Sequence, residues 1–358
     1  MRLLVDASSL LLHSAGVKNY TFHWLNALRA TAGLHQADAF PSLKDLGALN
    51  HNGSNLSRLA TAPRLGMLYL SNLVDWAASG YDFFHCSNQV RRPPKKTSLT
   101  ATIHDLTCWL MPEYHKEENV AADKVFANKV WKNAKGLIAV SEKTRRDAIE
   151  ILNIRPDRIR TIHSGVPAAF FDARPGFHER PYFLFVGTVE PRKNIHVLLD
   201  AYSALRPEIK REIDLVIAGP PGWKSDDVMA RLAQGVGGVR HLGYVPEAKL
   251  PGLFAAARAF VYPSLYEGFG FPVAQAMAAR VPVIASDNSC LPEIAGAGAV
   301  YVDPKSPGNL TRALEGMFGD STMRDRLAAA GRARAEKYRW ETCAKESWKF
   351  FEEISGAS

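Results

Sequence analysis

Short apolar runs alternate with helix-like stretches along all 358 residues, and the series begins again half-way down the chain. In the first half the runs cover residues 3–5, 81–85, 99–103 and 136–140, with a helix over about 19–30. In the second half they cover 182–186, 215–218, 259–262, 281–285 and 299–302, with helices starting near Ile195 and Pro272. A strand–helix–strand series of this kind predicts parallel sheets joined by right-handed crossovers, hence a doubly wound α/β architecture. At roughly 100–200 residues per domain the length suits two such domains. The stretch 172–181, with Pro175, Gly176 and Pro181, separates the two series and reads as the linker. Domains over 1–173 and 180–339 follow, and residues 340–354 form a last helix with Trp348, Phe350 and Phe351 on its apolar side. Two doubly wound domains facing each other would bind ligands in a cleft at the carboxyl ends of their strands.

The composition, 47% hydrophobic and 22% charged, excludes disordered, collagen-like and disulfide-scaffold classes. No run approaches the roughly 20 apolar residues of a membrane-spanning helix. The N-terminus has an early Asp6 and no cleavage-site pattern, so it reads as a first buried strand and not a signal peptide. Cys86, Cys108, Cys290 and Cys343 are scattered, which indicates neither a zinc site nor a disulfide framework. A soluble, cytoplasmic protein is expected. The net charge of +8 is lopsided: residues 1–180 hold 23 Lys+Arg against 16 Asp+Glu, residues 181–358 hold 21 against 20. The densest cluster is Arg91, Arg92, Lys95 and Lys96. A second group, Lys124, Lys129, Lys132 and Lys135, runs beside apolar Val125, Phe126, Val130 and Trp131, as in an amphipathic helix with a basic face. Such a face is either merely solvated or adheres to anionic lipid or an acidic acceptor. No nucleic-acid partner is expected, because the aromatics do not interleave with the cations.

Three loops directly after strands carry the unusual residues. In the first, Gly187-Thr188-Val189-Glu190-Pro191-Arg192-Lys193-Asn194, two adjacent cations precede a helix, which makes an anion site or else an ordinary basic turn. In the second, Pro263 to Pro272, Gly268 and Gly270 allow close backbone approach, and Pro272 suits a first helical turn. The amides at that helix start favour a phosphate. Glu267 is out of place beside an anion site unless it serves another group, such as a sugar hydroxyl, and Gln275 could hydrogen-bond a ribose. The third loop is Thr102-Ile103-His104-Asp105, where His104 could donate to a ligand hydroxyl or carry a proton, or be structural. Other motifs fail. Gly219 to Ser225 lacks the G-K-[ST] core of a P-loop. Gly268-Phe269-Gly270 lacks the third glycine of a dinucleotide fingerprint, and no G-x-S-x-G elbow occurs. No Asp-x-Asp occurs either, so a diphosphate would have to be met by Arg192, Lys193 and the helix start, without a metal.

The segments FVGTVEPRKN, PSLYEGFGFPVAQAMAARVPVIASDNSCLPE and TIHDLTCWLMPE, with VSEKTRRDAIEILNIRPDRIRTIHSGV and the closing Trp340-Glu341 helix, resemble retaining nucleotide-sugar glycosyltransferases of family 4. The resemblance implies the GT-B fold, in which a last helix (about 340–358 here) crosses back to the first domain. It implies transfer of a sugar from a nucleotide diphosphate to an acceptor hydroxyl, with retained configuration, no metal and no cofactor. Carried over by position, Lys193 would bind the donor diphosphate beside Arg192. Glu267 matches the first carboxylate of an E-x₇-E motif that contacts the donor sugar. The amides of Gly268, Phe269, Gly270 and Phe271 would meet phosphates and sugar. Gly16 falls where the family has a glycine loop near the diphosphate, His104 matches a histidine that contacts the donor sugar and lines the acceptor side, and Tyr244 and Val245 fall where backbone groups hold the base.

Two positions depart from the pattern. The second Glu of E-x₇-E is Gln275, a neutral acceptor in place of a charge-assisted one, and Thr188 stands where many relatives carry an additional Arg. The Glu-Pro-Arg-Lys-Asn sequence resembles bacterial mannosyltransferases of surface-polysaccharide and lipopolysaccharide assembly, which makes GDP-mannose the favoured donor. The basic first half suits a saccharide or lipid-linked acceptor, with peripheral contact at the inner face of the cytoplasmic membrane. Alternatives are a nucleotide-sugar epimerase or hydrolase of the same architecture, or a degenerate nucleotide-sugar-binding module.

Overall fold

The computed structural model describes residues 1–12, 16–47, 49, 54–67, 71–86, 92–176, 178–235 and 237–356. They form two compact units. The first takes Met1–Pro112, Lys116–Gly165 and the chain from Trp340; the second takes Glu113–His115 and Val166–Arg339.

The first unit is built on six parallel strands: β1 (Arg2–Asp6), β2 (Gln36–Phe40), β3 (Phe83–Cys86), β4 (Ser98–Ile103), β5 (Gly136–Ala139) and β6 (Ile159–Thr161), in the order β2-β1-β3-β4-β5-β6. The second has β7 (Tyr182–Val186), β8 (Asp214–Ala218), β9 (Val239–Gly243), β10 (Ala259–Tyr262), β11 (Val283–Ser286) and β12 (Ala299–Val302), in the order β12-β11-β10-β7-β8-β9. All pairs in both sheets are parallel. A parallel sheet covered on both faces makes its inner strands continuous apolar runs, and β3, β5, β8, β10 and β11 are buried at every position. The doubly wound α/β fold expected from the alternating runs is therefore present twice.

The structure differs from the sequence reading at several points, among them a β3 that starts at Phe83 and a first helix that starts at Gly16. β2, β6 and β9 were not foreseen; β6 and β9 are edge strands like β2, and their sequences mix polar with apolar residues. β11 starts at Val283 and not at 281, because Pro282 has no N–H to give the ladder and supplies only its carbonyl, to Phe260 N–H. The passage between units lies at Gly165–Val166, ahead of the proline-rich stretch 172–181. The reason is that Phe170 packs on Phe254 of the second unit (ring centroids 5.5 Å) and Phe171 lies under the guanidinium of Arg339 at 4.0 Å. The basic segment is a helix, Glu117–Phe126, continued by a widened turn over Ala127–Trp131, in which Lys132 N–H reaches the Ala127 carbonyl. Its lysines are exposed and Phe126, Val130 and Trp131 are buried, but Val125 is half exposed and not on the apolar side. Arg92, Lys95 and Lys96 are exposed, while Arg91 lies outside the described residues.

The helix Trp340–Ser355 returns to the first unit and buries Cys343, Ala344, Ser347, Trp348, Phe350 and Phe351 there. Trp24 Nε1 donates to Ser347 Oγ at 3.0 Å and Trp348 Nε1 to the Leu28 carbonyl at 3.2 Å, which fixes this helix against Gly16–Ala30.

Candidate functional site

β7 and β10 are neighbours, so the loops that leave their carboxyl ends run side by side. They are stitched together: Leu265 N–H donates to the Arg192 carbonyl at 2.9 Å, and Asn194 Nδ2 donates to the carbonyls of Pro263 (3.0 Å) and Pro304 (2.7 Å). Asn194 has a left-handed backbone (φ 57°), which sets the helix Ile195–Ser203 directly after the basic pair.

This stitching brings Arg192, Lys193 and Glu267 into contact. Lys193 Nζ donates to Glu267 Oε1 at 2.6 Å and to the Tyr262 hydroxyl at 2.8 Å. Arg192 Nη1 lies 3.1 Å from Glu267 Oε2 and donates to the Tyr266 carbonyl at 2.6 Å, while its Nη2 donates to Glu190 Oε1 at 2.8 Å. Glu190, Lys193 and Glu267 are all buried. Ser289, after β11, accepts from the Glu267 N–H at 2.8 Å and donates back to its carbonyl at 2.5 Å, which holds the glutamate's backbone. Burial by itself would raise the Glu267 pKa, but the charges of Arg192 and Lys193 outweigh it and hold the group at about 2. Burial, reinforced by the Glu267 charge, pushes the Tyr262 phenol well up, so it stays protonated.

The sequence reading set Glu267 beside a bare anion site; the structure instead has two carboxylates, Glu190 and Glu267, bonded to the two cations. The arrangement offers a rigid, ionised acceptor for hydroxyl groups next to two fixed cations. Four residues past Glu267 the helix Phe271–Ala278 begins, with Pro272 in its first turn and Gly270 before it at φ 79°. A Cβ at Gly270 would meet a Leu291 methyl at 2.8 Å, so both conformation and space ask for glycine there. Gly268 lies in the same loop. The Phe269 side chain turns into the core against Phe271 and Tyr338, and Gln275 is buried inside the helix.

Thr188 lies in the loop after β7, which is tied to the loop after β8: Val189 N–H donates to the Pro220 carbonyl and Gly222 N–H to the Val189 carbonyl, both at 2.9 Å. A Cβ at Gly219 would stand 1.9 Å from the Gly187 carbonyl oxygen. The glycines of the failed P-loop thus serve this close approach. Tyr244 and Val245 follow the edge strand β9, two strands from β7.

In the first unit Gly16 is the exposed first residue of the helix Gly16–Ala30. His104, after β4, is partly buried with its ring edge-on to Tyr20 at 4.8 Å. Burial lowers its pKa to about 4 against the opposing charge of Asp105, so the imidazole is neutral at pH 7. Asp105 itself caps a turn, accepting from Thr107 N–H (3.0 Å) and Oγ1 (2.7 Å). Sequence reading passed over His85 on β3, which lies buried between the Thr100 and Thr102 hydroxyls, 3.0 Å from each. A histidine inside the otherwise apolar run FFHC was the available signal.

Comparison with known proteins matches residues 15–170 to "Glycosyltransferase Family 4" and residues 169–334 to "Glycosyl transferases group 1". The chain is 33% identical over 285 residues to O-antigen chain mannosyltransferase B of Escherichia coli, covering 76% of this chain and 75% of that protein. It is 28% identical over 269 residues to the serotype-specific mannosyltransferase WbdA of Escherichia coli, covering 70% of this chain but only 32% of that longer protein. Sucrose-phosphate synthase from Thermosynechococcus elongatus superposes over 100% of both chains with a TM-score of 0.75 at 19% identity, and so shares the two-domain GT-B fold. Loops that set a buried glutamate beside an arginine–lysine pair at a helix start thus sit in a chain that is a glycosyltransferase and belongs to glycosyltransferase family 4.

Proposed function

We propose that the chain is a metal-independent, retaining mannosyltransferase that moves mannose from GDP-mannose to a saccharide or lipid-linked saccharide in polysaccharide assembly. The observation that carries this reading is the Arg192–Lys193–Glu267 cluster, with Lys193 and Glu267 buried, at the carboxyl ends of β7 and β10. It suits a ligand with hydroxyls at one end and a diphosphate at the other. The likeness to O-antigen chain mannosyltransferase B supports the choice of mannose and the polysaccharide setting.

In this reading Lys193 and Arg192, with amides from Gly268 to Phe271, meet the diphosphate, and Glu267 holds the sugar hydroxyls. Gln275 accepts from the ribose; Tyr244 and Val245 hold the base, with Thr188 and Gly16 near the phosphates. His104 contacts the donor sugar and the acceptor side. The acceptor oxygen bonds to the anomeric carbon on the face from which the diphosphate leaves. The carbon–oxygen bond to phosphate breaks, and the acceptor proton passes to the leaving phosphate oxygen. Groups preorganised for the developing charge contribute on the order of 10²–10³ in rate each, by analogy with oxyanion holes. Accordingly Lys193→Ala and Glu267→Ala should each lower turnover with GDP-mannose by about a hundredfold or more in folded protein, as checked by circular dichroism. Wild-type rates in both variants defeat the reading, and a screen of GDP- and UDP-sugars by thermal shift identifies the donor.

The same reading puts the protein in the cytoplasm, in peripheral contact with anionic lipid. The exposed Arg92, Lys95, Lys96, Lys124, Lys129, Lys132 and Lys135 support it. Reversing Arg92, Lys95 and Lys96 should weaken binding to phosphatidylglycerol vesicles; unchanged binding removes this part.

A further inference from the structure

Trp340 opens the returning helix at the point where the chain re-enters the first unit, and it is packed more tightly than a cap residue requires. A Cβ at Gly165 would lie 2.4 Å from its ring and 2.5 Å from its Cα. The indole lies against Tyr20 (5.5 Å, edge-on) and stacks on His23 at 5.8 Å.

Tyr20 in turn reaches His104 by two routes. Its ring makes the edge-on contact with the imidazole at 4.8 Å, and its hydroxyl lies 3.3 Å from Thr102 Oγ1 on β4, two residues before His104. Thr102 Oγ1 is also 3.0 Å from His85 Nε2, and the opposite nitrogen of that ring is 3.0 Å from Thr100 Oγ1. Tyr20 is further stacked on Trp24 at 5.5 Å. His104, Tyr20, His85, Thr102 and Asp6 border one cavity of about 10 Å³, room for no more than a water, so the place of the imidazole on this side is set by its ring contacts.

We infer that Trp340 is a positioning residue for His104, acting through Tyr20. The inference rests on the reading that His104 takes part in transfer. The indole holds one side of the tyrosine ring, Trp24 another and Thr102 its hydroxyl; the ring so fixed sets the orientation of the imidazole. Misplacement of a contact group by about 1 Å can cost on the order of a hundredfold in rate, even when the change is made far from the chemistry. The Trp340-Glu341 helix start, which the transfer chemistry leaves without a role, thereby gains one.

The test uses the full chain. Trp340→Leu, Trp340→Phe and Tyr20→Leu are made with and without His104→Ala. Each is assayed for transfer from GDP-mannose to octyl α-mannoside, and where His104 is kept its imidazole is titrated by histidine-labelled NMR. Trp340→Leu should lower kcat about tenfold with donor KM little changed, and Trp340→Phe should restore most of it. In the His104→Ala background Trp340→Leu should add no further loss, because a residue acting through another gives non-additive effects. The His104 titration, at about 4 with Trp340 in place, should move up in Trp340→Leu as the ring is released. Additive losses in a chain already impaired by His104→Ala overturn this inference alone, as does an unmoved titration in folded Trp340→Leu. Wild-type kcat in His104→Ala removes His104 from the reaction, and this inference with it. Should Trp340→Leu not fold, the same two readouts are taken on Tyr20→Leu, where an unmoved titration or additive loss overturns the inference equally.

Discussion

Glu267 shows how two opposed effects settle at one residue. Burial penalises its charge, yet Arg192 and Lys193 supply more than that penalty and keep the carboxyl at about 2 against an ordinary 4.5. A folded pKa below the unfolded one gives stability that is present above pH 4.5 and lost as pH falls towards 2, and the gap corresponds to about 3 kcal/mol. Urea unfolding of wild type and Glu267→Gln should therefore differ most near pH 6, with the difference shrinking by about that amount towards pH 2. A pH-independent difference refutes the ion-paired assignment. The cluster was only half legible in the sequence. The basic pair and the glutamate stood out by residue type and by their places after apolar runs, but they lie 74 positions apart. Only the strand order, which sets β7 against β10, makes them partners, so the carboxylate read as repelled where it is in fact bonded. His85 was missed for a related reason: its two hydroxyl partners stand on β4, and the register that pairs His85 with Thr100 is invisible in one strand's sequence.

Among elements, legibility followed position in the sheet. Inner strands are covered on both faces, so their sequences are unbroken apolar runs that stand out from their surroundings. β2, β6 and β9 have a neighbour on one side only, and QADAF, IRT and VRHLG carry charges and amides that an edge tolerates. β12, the remaining edge, was legible because AVYV kept the apolar pattern. The helix Glu117–Phe126 and its continuation show a different limit. Lys124 and Lys129 are five apart, a spacing that fits the widened turn over Ala127–Trp131 better than an ordinary helix, and Val125, one turn before Lys129, shares the exposed lysine side although its apolar side chain groups it with Phe126 and Val130 by residue type. The helix Trp340–Ser355 was legible as an amphipathic element from its aromatics, but its destination was not; the family resemblance supplied that, and the bonds from Trp24 and Trp348 give it physical content.

At the scale of the molecule, the two units place their buried ionisable groups differently, and acid should separate them. The first unit holds two histidines in neutral form, the buried His85 at about 3 and the partly buried His104 at about 4, with desolvation the leading cause in both. Their ordinary value is 6.5, so below that pH the unfolded first unit binds protons that the folded one refuses, and its stability falls as pH drops. At pH 5 His85 has withdrawn about 2 kcal/mol, with His104 acting in the same direction. Glu267, in the second unit, loses its contribution only below about 4.5. Hydrogen exchange corrected for intrinsic rates should therefore show protection falling in β3 and β4 between pH 7 and pH 5, while β7 and β10 keep theirs until the pH passes below about 4.5. His85→Gln should delay the first loss to lower pH, since glutamine has no proton to gain. Equal and simultaneous loss in both sheets at pH 5 would mean that the units unfold as one cooperative body, and a loss left unmoved in His85→Gln would remove that histidine as the cause.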